Sequence, residues 1–176
     1  LTPHSFIGRK SMRVLYLNNS RVATITNRTF GGLRDLRVLR LENNQITALR
    51  GHEFDGLNNL RELYLSNNNL NYIHNVTFSH LKSLEVLHLD HNFLIEMSMA
   101  TLQHNIRLSD LRLAKNLWTC DCYFTQDLTL FLHERGDMVR DIFQLSCVYN
   151  ETTALPLWEL NVTECHNPGS EATLVR

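Results

Sequence analysis

The chain has 176 residues, room for one domain or one slice of a larger one. Its 43% hydrophobic and 20% charged residues support a packed core and argue against disorder. Seventeen Lys and Arg stand against 18 Asp and Glu, so the basic excess needed by a non-specific nucleic-acid binder or a polybasic membrane binder is missing. The longest candidate apolar run, Leu128 to Leu132, includes Thr129 and falls far short of the roughly 18 residues of a bilayer span; no signal-peptide pattern is visible. Two abundances need a joint explanation, 31 Leu and 18 Asn.

They fall into a repeat. Leu1 matches Ile25 and Phe6 matches Phe30, so the chain opens part-way through a unit with no Cys-containing cap before it, as a fragment of a longer array would. Unit starts follow at Met12, Leu36, Leu60, Leu84 and Leu108, each 24 apart. Three positions on stand Leu15, Leu39, Leu63, Leu87 and Leu111, and two further on Leu17, Leu41, Leu65, Leu89 and Leu113. Then come Ser20, Asn44, Asn68, Asn92 and Asn116, followed by Val22, Ile46, Leu70, Leu94 and Trp118. The second half of the unit keeps register through Ile25, Leu49, Ile73 and Met97, then Phe30, Phe54, Phe78 and Leu102. Leu33, Leu57 and Leu81 complete three of the units. No helical stripe holds such spacing, because L-x-x-L-x-L joins a period-2 element to a kink.

The pattern L-x-x-L-x-L-x-x-N-x-L resembles a leucine-rich repeat in its 24-residue form. Each spacing has a cause. The L-x-L segment is a short strand with Leu side chains pointing inward and the intervening residue pointing out. Stacked strands make a parallel sheet. The Asn turns the chain out of the strand, and its amide, both donor and acceptor, satisfies backbone groups that the bend leaves unpaired. Repeated at Asn44, Asn68, Asn92 and Asn116, it forms an asparagine ladder, with Ser20 a weaker substitute. The Phe of the second half fills the widening toward the convex side.

After Asn116 the sequence reads Leu117-Trp118-Thr119-Cys120-Asp121-Cys122, with Cys147 after 24 residues and Cys165 after another 17. Four Cys allow three pairings, of which Cys120 with Cys122 would close a very tight ring. A zinc site is the rival reading; widely spaced partners and five N-x-S/T sequons favour disulfides in an oxidising compartment. Phe124, Leu128, Phe131 and Leu132 fall at i, i+4, i+7 and i+8 and predict one helix, stopped at Gly136. Its apolar face covers the edge of the last repeat, with Trp118 beneath it and Trp158 and Leu160 closing the rest. The fold class is therefore an α/β solenoid: a right-handed horseshoe segment of leucine-rich repeats over 1–116, with a parallel concave sheet. A disulfide-linked C-terminal cap with one helix spans 117–165. Residues 166–176 read as a polar tail, a juxtamembrane remnant or an expression scar.

The 24-residue repeats running straight into C-x-C, x24, C, x17, C resemble the membrane-proximal end of a Toll or Toll-like receptor ectodomain. Stretches such as Met12–Ser20 and Leu60–Leu65 look like the long insect Toll receptors of the 18-wheeler and Tollo kind. The resemblance implies pairing of Cys120 with Cys147 and of Cys122 with Cys165. It implies a single-pass receptor of innate immunity or developmental patterning, whose ectodomains pair when ligand binds. It also implies a Spätzle-like cystine-knot dimer or another receptor ectodomain as partner, with the membrane reached only through a helix that this sequence does not contain. The alternative is a Slit-like or proteoglycan-like adhesion or matrix module.

The sequons are Asn18, Asn27, Asn75, Asn150 and Asn161. Asn27 and Asn75 lie 48 residues apart and occupy the same place on two turns of the solenoid, so glycans there block one lateral or convex strip. A sugar on Asn18 obstructs the concave face near its start, leaving the unglycosylated flank for partners. The concave face is read as Arg13, Tyr16 and Asn18; Arg37, Arg40 and Glu42; Arg61, Tyr64 and Ser66; Glu85, His88 and Asp90; Ser109, Arg112 and Ala114. Tyr16, Arg37, Arg40, Arg61, Tyr64, His88 and Arg112 are its candidate partner-binding residues, since Tyr and Arg are common interface anchors; ordinary solvated strand positions are the competing reading. His88, Asp90 and His91 raise a metal or pH-switch idea but read better as an exposed polar patch, with His91 at the bend. Without a Lys/Arg stripe no nucleic-acid ligand is expected. There is no G-x-S-x-G, P-loop, H-E-x-x-H or G-x-G-x-x-G, and the cap takes all four Cys, so neither an enzyme nor a cofactor or metal is called for.

Overall fold

The computed structural model describes residues 1–151 and 153–157, and the backbone of 160–161 and 173–174. Trp158, Cys165, the side chains of Leu160 and Asn161, and most of the tail lie outside the described residues.

The repeat is laid out as strands β1 (Val14–Tyr16), β2 (Val38–Arg40), β3 (Ala48–Leu49), β4 (Glu62–Tyr64), β5 (Tyr72–Ile73), β6 (Val86–His88) and β7 (Asp110–Arg112). Five of them form one parallel sheet in the order β1-β2-β4-β6-β7. Its register follows the 24-residue period, Leu15 opposite Leu39, Leu39 opposite Leu63, Leu63 opposite Leu87 and Leu87 opposite Leu111. β3 and β5 make a second, two-stranded parallel pair. The main strands are short because a left-handed residue follows each: Asn19, Asn43, Asn67, His91 and Lys115, with φ between 55 and 58°. Asn is the non-glycine residue that tolerates this region best.

The ladder sits directly after that corner. Asn68 Nδ2 donates to the carbonyls of Leu41 and Leu65 at 2.9 and 3.1 Å, while its Oδ1 accepts from Ile46 N–H at 3.1 Å. Asn92 and Asn116 repeat the pattern on Leu65, Leu89 and Leu70, and on Leu89, Leu113 and Leu94. Asn44 takes two N–H groups, from Ser20 and Val22, where no preceding Asn shares the load. Inward Leu side chains such as Leu39, Leu41, Leu63 and Leu87 are fully buried. Behind them the rings of Phe6, Phe30, Phe54 and Phe78 stack with centroids 5.6, 6.2 and 6.3 Å apart.

The cap contributes α1 (Cys122–Arg135), the antiparallel pair β8 (Ser146–Tyr149) and β9 (Thr153–Pro156), and the antiparallel pair β10 (Leu160–Asn161) and β11 (Thr173–Leu174). Asp121 starts α1 by accepting from Tyr123 N–H at 2.9 Å. Phe124, Leu128 and Phe131 are buried, and Trp118 stacks on Phe124 at 5.2 Å. Gly136 ends the helix, as its position in the sequence predicts. It stays right-handed at φ -65°, and the chain runs on into a 3-10 turn, Gly136–Met138. Cys120 and Cys147 are joined, with Cα atoms 5.0 Å apart. The pairing of Cys122 with Cys165 lies outside the described residues.

Candidate partner-binding face

Period-2 alternation decides which side chains reach the concave surface. On β2, Val38 and Arg40 flank buried Leu39, and on β4, Glu62 and Tyr64 flank Leu63. The outward row therefore runs through residues 14, 16 and 18 and their equivalents 24 apart, rather than 13, 16 and 18. Arg37 and Arg61 are exposed but stand one residue before their strands, where their carbonyls each accept two N–H groups from the next turn; Val38 and Glu62 hold the face in their stead. Two x positions precede the second Leu, and only the nearer one shares its pleat.

The middle column joins into a chain of contacts. The Arg40 guanidinium lies 4.2 Å from the Tyr64 ring centroid and donates to Glu42 Oε1 at 2.8 Å. Tyr64 donates to Glu62 Oε1 at 3.1 Å and meets His88 edge-on at 4.9 Å. His88 Nε2 stands 3.1 Å from Asp110 Oδ1, which also faces Arg112 Nε at 3.4 Å. Ser66 donates to Asp90 Oδ1 at 2.6 Å, and His91 Nδ1 is 2.8 Å from Asp90 Oδ2. The Glu42 hydrogen bond holds the Arg40 proton more tightly than usual. Burial, then Glu62, raises Tyr64. Burial pushes Asp90 up, but bonds from Ser66 and His91 outweigh it and leave the carboxyl below its ordinary value.

His88 does not belong to an exposed patch. It is buried between Tyr64 and Asp110, because the neighbouring strands bring a ring to one side of it and a carboxylate to the other. Among the described residues no three His, Cys, Asp or Glu side chains form a cation cage. Tyr16 is 68% exposed at the N-terminal end of the row and Arg112 is exposed at the other. Of the sequon residues, Asn27, Asn75 and Asn150 are exposed and Asn18 is half-buried beside β1.

At the last strand the cap supplies what a further repeat would. The Asp141 carboxylate accepts from Leu113 N–H at 3.0 Å and Ala114 N–H at 2.7 Å, and Arg140 N–H donates to Leu111 at 2.9 Å. Trp118 Nε1 donates to Leu113 at 2.8 Å; Arg135 donates to Leu102 and Asn105 at 3.1 and 2.7 Å. Burial raises Asp141 despite the N–H bonds it receives, and lowers Arg135. A second buried polar column, Thr29, Glu53, Thr77 and Thr101, runs at the same 24-residue spacing. Glu53 takes the N–H groups of Arg50 and Gly51. Neither Asp141 nor Arg135 carries a motif; the column at 29, 53, 77 and 101 is visible as period alone.

This is a scaffold of stacked rungs with a sealed end. Residues 10–70 and 59–117 match the family described as Leucine rich repeat, and the chain belongs to that family. It is similar to the crystal structure of the TLR13–ssRNA13 complex, at 30% identity and a TM-score of 0.65, over 68% of this chain and 17% of that one. The chain thus spans a small part of that Toll-like receptor. No curated protein matches it.

Proposed function

We propose that this chain is the membrane-proximal extracellular segment of a Toll-type single-pass signalling receptor, that it is not an enzyme, and that it acts by binding a protein. Repeats occupy 1–116, a cap held by Cys120–Cys147 and Cys122–Cys165 occupies 117–165, and 166–176 lead toward the membrane. The observation that carries this is the 24-residue array abutting a disulfide-closed cap, supported by likeness to a Toll-like receptor over 68% of the chain. The partner is a cystine-knot dimer of the Spätzle kind or a second ectodomain, as in the long insect Tolls, in immunity or patterning. Tyr16 and Arg112, exposed at the two ends of the concave row, are the first anchors to test.

The test is surface plasmon resonance of a longer ectodomain against such dimers. Binding that falls severalfold in Tyr16→Ala with Arg112→Ala supports the reading; absence of any binding, together with no transmembrane span and TIR domain encoded beyond residue 176, leaves the adhesion-module alternative. Single-stranded RNA is a second reading, because the matched receptor is in complex with ssRNA13. Against it, Arg40 faces Glu42 and Arg112 faces Asp110, so the row offers phosphate little free positive charge. RNA binding that weakens steeply with salt would favour it.

A further inference from the structure

Asn75, first residue of the Asn75-Val76-Thr77 sequon, lines a groove of about 650 Å³ between the flank of the repeats and α1. Tyr72 on β5, Ile95, and Tyr123 on the first turn of α1 wall it, 47, 53 and 62% exposed. Thr101 lines it too; it is buried, and its Oγ1 has no hydrogen-bond partner among the described residues. Asp127 adds a carboxylate that already holds Met99 N–H at 2.8 Å. Aromatic faces beside scattered polar groups suit a pyranose ring, whose C–H face packs on an aromatic while its hydroxyls and acetamide bond to neighbours.

We propose that this groove seats the glycan of Asn75 itself. The first N-acetylglucosamine units fold back over Tyr72 and Tyr123 and bridge the repeats to the cap. The covalent step is ordinary N-glycosylation. The Asn75 amide nitrogen attacks C1 of the sugar in a lipid-pyrophosphate-linked oligosaccharide. The C1–oxygen bond breaks, the lipid pyrophosphate leaves with the electron pair, and the amide gives up one proton. An internal contrast lies two turns earlier. Asn27 holds the equivalent position, yet its groove, about 380 Å³, is walled by Ala23, Thr24 and Ala48 and has no aromatic ring among its described residues. In the turn between them the position is Gly51, where a Cβ would come 2.9 Å from Val76 Cγ2 at a φ of +125°.

The proposal rests on the extracellular reading above, and one experiment separates the two. The chain is secreted from insect cells, sequon occupancy is read by peptide mass, and amide exchange is compared among the unaltered chain, Asn75→Gln and Asn27→Gln. With Asn75 occupied, exchange in 95–101 and 121–127 rises severalfold in Asn75→Gln and stays unchanged in Asn27→Gln. Trimming to a single sugar retains part of the protection, and Tyr123→Ala in the glycosylated chain loses it. Occupied Asn75 with equal exchange in all forms overturns the proposal and leaves the extracellular reading standing. Asn75 bare while other sequons carry sugar does the same; no sequon occupied sinks both.

Discussion

Interior repeats and the cap solve one problem by opposite means. Each interior rung has N–H and C=O groups along its strand and around its corner, and a copy of itself meets them: Leu41 N–H reaches the Tyr64 carbonyl, and Asn68 closes the bend of the unit before. The last rung has no copy. Its groups are met by unlike partners, the Asp141 carboxylate, the Arg135 guanidinium, the Arg140 backbone N–H and the Trp118 indole, brought from up to 33 residues away by one helix and a disulfide. Periodic structure needs only a periodic sequence. Stopping it needs specific partners, and the stability of the array's end is concentrated in them.

The sharpest way to break the contrast is Trp118→Ala, which empties a buried site against Phe124 and frees the Leu113 carbonyl. We expect a loss of about 3–5 kcal/mol, read as an early transition of the cap in urea. Removing the bridge with Cys120→Ala and Cys147→Ala comes next, at roughly 3–4 kcal/mol in the chain-entropy model. A thermal midpoint unchanged by both would mean that the cap adds nothing to the array. In the interior, Asn92→Ala strands the Leu70 N–H and Leu65 carbonyl, for about 2–3 kcal/mol; amide exchange should then rise on both sides of the ladder break, where Asp141→Ala opens β7 alone.

The smallest effect is a pH dependence. Asp90 lies below its ordinary 3.8 in the folded chain, so its contribution is present above the unfolded value and is lost as pH falls through the folded one. Asp141 is raised, so the folded chain keeps that proton longer, and stability from this group declines as pH rises from the unfolded value through the folded one. Asp90→Asn should flatten the acid-side loss of thermal midpoint between about pH 5 and 2. An unaltered acid limb would show that the bonds from Ser66 and His91 add no net stability.

Much of this was legible in the chain. Leu at fixed intervals set the strands, and Phe30, Phe54 and Phe78 set the stack, because identical rungs put identical residues in contact. What escaped was what period does not encode. In sequence, Arg37 and Arg61 pass for concave-facing residues because the motif has two open positions before its second Leu, and only the pleat distinguishes them. His88 looked exposed because its cover, Tyr64 and Asp110, comes from the turns on either side. Asp141 was silent because its targets lie 27 and 28 residues earlier, with no spacing rule to link them.

The ladder has a direction. Asn44, Asn68, Asn92 and Asn116 each take N–H groups from 22 residues upstream, and among the described residues none takes one from downstream. A ribosome making this chain therefore never releases a finished rung: each stays open until its successor emerges. Only the arrival of Trp118 and Asp141 ends that debt, so a nascent chain halted short of the cap leaves the exit tunnel with a raw face for chaperones to hold.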